Sequence, residues 1–201
     1  MSGESEQISA RLYQALELAF RLHGHDARKQ SAVPYLAHLL SVCALVQLDG
    51  GDEDEAIAAL LHDALEDKPQ QTNRQEIVSL FGAKVLALIE TSIDTPADYV
   101  GGVKPPWRQR KENYLAHVRH SDPAMLRVTI ADKIDNTRAL LSEYRRLGDR
   151  LWERFNAGKD DQLWYYQAAL AAYGEAGVRG PLLDELSRLV GQLVTEAKSA
   201  T

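Results

Sequence analysis

The chain has 201 residues, 45% hydrophobic and 26% charged, which suits one domain burying roughly 70% of its unfolded surface and excludes a disordered or fibrous chain. A formal charge of −6 argues against general nucleic-acid binding, which needs a broad basic surface. The acidic start Met1–Gln7 and the lack of any long apolar run argue against secretion and membrane spanning, and the single Cys43 suits the reducing cytoplasm.

Apolar residues recur at helical spacing along almost the whole chain, without sustained period-two alternation, so the expected fold class is all-α. A first helix is predicted over Ile8–His23, with Ile8, Leu12, Ala15, Leu16 and Ala19 on its apolar stripe and Gly24 ending it. After a basic link containing Arg28 and Lys29, a second helix opens at Pro34 and runs to Leu48, before Gly50 and Gly51. A third spans Glu53–Asp67 and stops at Lys68-Pro69. Thr72 with Gln75 forms a predicted capping box for a helix reaching Ser92, with a break at Gly82.

The segment Asp94–Pro106 is expected to be a loop of functional length. A basic helix follows over Trp107–His120, and Asp122 with Pro123 opens another that reaches Tyr144. Further helices are expected near Asp149–Asn156, Asp160–Gly174 and Pro181–Lys198. No repeat or linker divides the sequence, so residues 1–201 are expected to form one compact domain. Its motif-bearing core covers about residues 8–175, and the helix at 181–198 packs against it.

On the third helix, Ile57, Leu60, Leu61, Ala64 and Leu65 form one apolar face, leaving His62, Asp63, Glu66 and Asp67 opposite. Three carboxylates in a last helical turn oppose the macrodipole at about 0.3–1 kcal/mol each, and Asp63 repels Asp67 by a few tenths more. A bound divalent cation reverses the sign of these terms, although a solvated acidic helix end also occurs without one. His38, in a helix apolar almost all round, is alone more often a core histidine than a ligand. Asp132, between Ile130 and Ile134 with Asn136 one turn on, is either a buried carboxylate needing a partner or a surface residue beside Lys133. Together these residues offer two nitrogen and two oxygen ligands, a set suited to manganese, iron or zinc.

Lys104, Arg108, Arg110 and Lys111 place four positive charges in eight residues, as an electrostatic funnel for an anionic substrate or as a solvated helix paired with acidic neighbours. Arg154, Asn156 and Lys159, near Trp164, Tyr165 and Tyr166, offer contacts to phosphate or base, though aromatics at helical spacing are commonly core.

The ordered elements His23-Gly24, Arg28-Lys29, Pro34-Tyr35-Leu36-Ala37-His38, Leu60-Leu61-His62-Asp63 with Glu66-Asp67, Phe81-Gly82, and Ala131-Asp132-Lys133 with Asn136 and Arg138 carry a resemblance. From Leu18 to Tyr173 the chain resembles the HD superfamily of metal-dependent phosphohydrolases, and within it the short, stand-alone form of the RelA/SpoT alarmone hydrolases. The resemblance implies an HD-domain fold with one divalent cation, usually manganese, on His38, His62, Asp63 and Asp132. It further implies that Glu66 and Asp67 act on the attacking water, that Arg28 beside Lys29 lies against the base, and that Asn136 lines the nucleotide. The implied reaction removes pyrophosphate from the 3′ position of a guanosine or adenosine polyphosphate.

Among the departures, Gln30-Ser31-Ala32-Val33 stands where the family usually has a glycine, beside Arg28 and so bearing on the base pocket, and Leu39 follows the first ligand where the family commonly has proline. With no synthetase domain after the last helix, hydrolysis alone is expected. The partner implied is a small nucleotide, not a nucleic acid or membrane, and a homo-oligomer stays open. Alternatives are an HD phosphatase on nucleoside monophosphates or other phosphoesters, a non-catalytic metal- or nucleotide-binding regulator, and a helical scaffold with no site.

Overall fold

A computed structural model describes residues 9–28, 32–95, 99 and 102–199. Helix α1 (Ala10–His23) starts where the Ser9 side chain accepts a hydrogen bond from Leu12 N at 3.1 Å. Its inward face runs through Ala15, Leu18, Ala19 and Leu22, whereas Leu16 is 37% exposed. The expected stripe is therefore rotated by part of a turn, with Leu18 and Leu22 buried in place of Leu16. Ile8, placed on that stripe by periodicity, lies outside the described residues.

The link to α2 (Tyr35–Leu48) is closed by an isolated antiparallel bridge between Ala27 and Pro34, with Arg28 N donating to Val33 O at 2.9 Å. Lys29 falls outside the described residues. Helix α3 (Glu53–Leu61) has a capping box in which Asp52 and Glu55 each accept from the other's backbone N–H.

The single helix expected over Glu53–Asp67 is instead two, α3 and α4 (Ala64–Asp67), with His62 and Asp63 in a turn between them. Asp63 has ψ −5°, well off the helical value, which breaks the ladder. His62 is consequently not on a solvated face but 2% exposed.

Helix α5 (Arg74–Phe81) is capped by Asn73, which accepts from Glu76 N at 3.0 Å, rather than by Thr72, which is buried. The break at Gly82 separates it from α6 (Ala83–Glu90). Gly82 has φ +91° and ψ 167°, a conformation essentially confined to glycine, with no atom near a would-be Cβ. Gly82→Ala is therefore expected to destabilise through backbone strain alone, by about 1–3 kcal/mol. Thermal unfolding should show a midpoint lower by roughly 2–4 °C per kcal/mol.

Helix α7 (Trp107–Arg119) follows, then Asp122 and Pro123 open a 3₁₀ turn over Pro123–Met125 rather than an α-helix. Helix α8 (Arg127–Leu147) is followed by a 3₁₀ segment over Gly148–Arg154, α9 (Lys159–Glu175) and α10 (Pro181–Ser199). Helix α8 packs against α2, α3 and α10, while α3 packs against α1, α2 and α6, and α7 against α9. This arrangement buries Ile130, Ala131 and Ile134 of α8 together with the polar Asp132, Lys133 and Asp135. Among the described residues there is no β-strand, and no helix is long and apolar enough to cross a membrane.

Candidate active site

Helix α2, the α3–α4 turn and helix α8 each direct polar side chains to one buried point. His38 Nε2 lies 3.3 Å from Asp132 Oδ1 and 3.7 Å from Asp63 Oδ2, and His62 Nε2 lies 3.0 Å from Asp63 Oδ2 and 3.7 Å from Asp132 Oδ1. Ligands bonded at about 2.0–2.2 Å to a shared ion and set 90–110° apart are separated by roughly 3.0–3.6 Å. The His–Asp separations of 3.0–3.7 Å lie in or just beyond that range; His38, His62 and Asp132 each offer one atom within 4.8 Å of the others, a group that does not include Asp63.

Both imidazoles face their Nε2 inward for a local reason. The carbonyl of Ala59 can only accept, so His62 Nδ1, at 2.8 Å, carries the proton and leaves the Nε2 lone pair free in the neutral ring. That Nε2 is buried and has no hydrogen-bonding partner, which suits a metal ligand. His38 Nδ1 is likewise held by Asp135 Oδ2 at 2.7 Å, a carboxylate–histidine arrangement common behind metal ligands.

Burial alone would lower His38 and His62, but nearby carboxylates outweigh it and raise both, His62 strongly. Burial likewise pushes Asp63 and Asp132 up, and His62 for the former and Lys133 for the latter prevail, holding both well below the carboxylate range. In the absence of a cation, the carboxylates favour protonation of both imidazoles, at the same Nε2 positions a metal would take. Raised histidines contribute stability that is full below their ordinary value of ~6.5 and fades as pH rises through their folded values; the depressed aspartates contribute above ~3.9. The chelated protein is therefore expected to lose thermal stability as pH climbs above about 6.5. Added divalent cation should reverse that trend, because it displaces the same protons. Melting curves against pH, with chelator and with manganese, would show parallel profiles if no such exchange occurs.

Beside this point, Glu66 accepts from Lys104 Nζ at 2.6 Å and from Asp94 N at 3.2 Å. Burial and then the Asp94 charge raise its pKa, with Lys104 only partly offsetting them. Asp67 is more open and lies 3.7 Å from Lys104. Asp94 itself accepts from Arg110 and, at 2.5 Å, from Lys111.

The basic segment is thus divided. Lys104 reaches the acidic pair directly, and Arg110 and Lys111 are joined to it through Asp94. Arg108 turns away to Glu112 and Asp161 and stacks over Trp164 at 3.2 Å. Arg154 lies 3.8 Å from Glu143, Lys159 pairs with Asp149 at 2.9 Å, and Asn156 is exposed. Arg28 and Asn136 are brought together, with Arg28 donating to Asn136 Oδ1 at 2.6 Å.

The sequence pattern of the HD domain matches residues 15–162. The chain belongs to the HD-domain family. A guanosine-3′,5′-bis(diphosphate) 3′-pyrophosphohydrolase of Aquifex aeolicus is 34% identical over 136 residues, which are 67% of this chain but 18% of that much longer protein. The human enzyme of the same description, MESH1, is 29% identical over 187 residues, covering 92% of this chain and 95% of its own. A solved structure, described as a metazoan orthologue of SpoT that hydrolyses ppGpp, overlays with a TM-score of 0.75 at 22% identity. It covers 94% of this chain and 98% of that one and carries the likeness of fold.

Within this HD domain, three residues beyond the candidate set border the cluster. The Tyr35 hydroxyl donates to Asp63 Oδ2 at 2.5 Å, Lys133 Nζ donates to Asp132, and Asp135 supports His38. Asp135 had a visible signal, standing three residues after Asp132 and so on the same helical face. Lys133, expected from the sequence only as a surface neighbour of Asp132, is 8% exposed and lies near the rings of Tyr114 and Tyr165.

Proposed function

We propose that this chain hydrolyses the 3′-pyrophosphate of a guanosine or adenosine polyphosphate, with one divalent cation, manganese, held by His38, His62, Asp63 and Asp132. The observation that carries this is the convergence of two imidazole nitrogens and two carboxylate oxygens, from three parts of the chain, with His–Asp separations of 3.0–3.7 Å. The printed activities of the Aquifex and human relatives supply the substrate class. Residues 1–201 act in this reading as one domain.

Bound there, such a cation supplies Lewis-acid polarisation of a phosphoryl group and acidifies water. Glu66 orients the attacking water and carries its proton, a task suited to a carboxyl raised toward neutrality by burial. Asp67, more open on the same turn, exchanges that proton with solvent. Lys104 meets charge on the polyphosphate, with Arg110 and Lys111 behind it through Asp94. Arg28 and Asn136 hold the base side, with Lys29 beside them in sequence. Arg108, Arg154, Asn156 and Lys159 are kept as contacts for the far end of the nucleotide, each except Asn156 having to leave an acidic partner to serve.

Incubating the purified protein with manganese and a panel of guanosine and adenosine 3′-pyrophosphates and nucleoside monophosphates, read by chromatography, tests this. Pyrophosphate release from a 3′-pyrophosphate is expected. Phosphate release from monophosphates alone would replace the proposal with a nucleotidase.

A further inference from the structure

We propose that Asp135 is a positioning residue that ties the nucleotide-facing Arg28 to the metal-facing His38 through a single carboxylate oxygen. Asp135 Oδ2 accepts from His38 Nδ1 at 2.7 Å and from the Arg28 guanidinium at 2.5 Å. Its side chain is 12% exposed, so these bonds form largely away from water, where charge-assisted hydrogen bonds are strongest.

A second arm runs in parallel. The other guanidinium nitrogen of Arg28 donates to Asn136 Oδ1 at 2.6 Å, and Asn136 Nδ2 donates in turn to Asp132 Oδ1. An amide that accepts with its oxygen and donates with its nitrogen has one usable orientation here, so Asn136 is fixed from both sides. Arg28 therefore stands one residue away from two of the proposed metal ligands, His38 by way of Asp135 and Asp132 by way of Asn136. Those ligands sit on different helices, α2 and α8, and Arg28 comes from the link before α2. The fork of one guanidinium brackets all three elements.

The bracket has a directional consequence. Asp135 fixes the His38 tautomer by accepting the Nδ1 proton, which aims Nε2 at the cluster and makes the ring a better ligand. The same oxygen, with Asn136 Oδ1, fixes both ends of the Arg28 fork against α8 and so limits the orientations of a planar group able to stack on a base. Binding at either end therefore strengthens the other, since each stiffens a shared carboxylate.

The inference rests on the proposed metal site but not on the identity of the substrate, so its test is cation affinity measured without nucleotide. Manganese titration of the full chain, followed by calorimetry, should show Asp135→Ala binding about 10- to 100-fold more weakly than the unchanged protein. Asp135→Asn retains an acceptor for His38 Nδ1 without the charge and should fall between the two. Arg28→Lys, which replaces the planar fork across Asp135 and Asn136 with a single ammonium, should weaken manganese less than Asp135→Ala does. Its effect should largely vanish when Asp135 is already alanine.

Thermal midpoints of the chelated proteins, compared in parallel, identify a residue that merely packs. A lower midpoint with unchanged cation affinity in both Asp135 variants overturns the proposal, as does full additivity with Arg28→Lys. Should the unchanged protein bind no manganese, the metal site itself fails. Should manganese binding follow this order while no 3′-pyrophosphate is hydrolysed, the coupling stands and only the assigned reaction falls.

Discussion

Replacing His62 with alanine is expected to abolish cation binding and turnover together. The imidazole supplies a buried Nε2 that has no hydrogen-bonding partner, 3.0 Å from Asp63 Oδ2 and 3.7 Å from Asp132 Oδ1. Without it, Asp63 and the buried Asp132 lose the imidazole beside them, and the proposed cation would lose one ligand of four. Altering residues that only support ligands commonly costs about 10- to 100-fold in affinity, so loss of a ligand should exceed that. Elemental analysis of the purified variant, beside a turnover assay, checks both readouts. A variant that hydrolyses at the full rate with no metal bound would exclude the proposed centre.

Glu66→Gln is expected to separate the two properties, retaining the cation while turnover drops by about 10²- to 10⁴-fold, the usual worth of a positioned acid or base. Glutamine keeps the size of the side chain but offers one acceptor oxygen where Glu66 uses two, Oε1 for Lys104 and Oε2 for Asp94 N, so one of these hydrogen bonds survives. What it loses is the ability to take and return a proton. Because Asp67 stands next in sequence and also lies near Lys104, residual activity is expected to come through it. Turnover equal to that of the unchanged protein would remove Glu66 from the chemistry.

The all-helical architecture was legible because apolar spacing is set by burial, and α2, α7, α9 and α10 fall within a residue or two of their expected limits. The break between α3 and α4 was not legible, since Ile57, Leu60, Leu61, Ala64 and Leu65 keep a helical period straight through it. Periodicity averages over turns and is insensitive to one shifted ψ. The meeting of His38, His62, Asp63 and Asp132 could be anticipated from an ordered set of residue types that share one chemistry. The supporting contacts could not, because they are tertiary: Arg28 reaches Asp135 across 107 positions and Arg108 reaches Asp161 across 53. Charge clustering in Lys104–Lys111 therefore read as one feature, although the fold sends its members to different partners.

The kink at His62–Asp63 bears on any effort to make the protein more heat-resistant. Neighbouring residues on an unbroken α-helix project about 100° apart, yet these two place Nε2 and Oδ2 3.0 Å from each other. Substitutions that favour a continuous rod from Glu53 to Asp67 would add regular backbone hydrogen bonds while swinging one of the two groups aside. Selection for hardiness alone would thus be drawn to this junction and would yield a sturdier, inert protein.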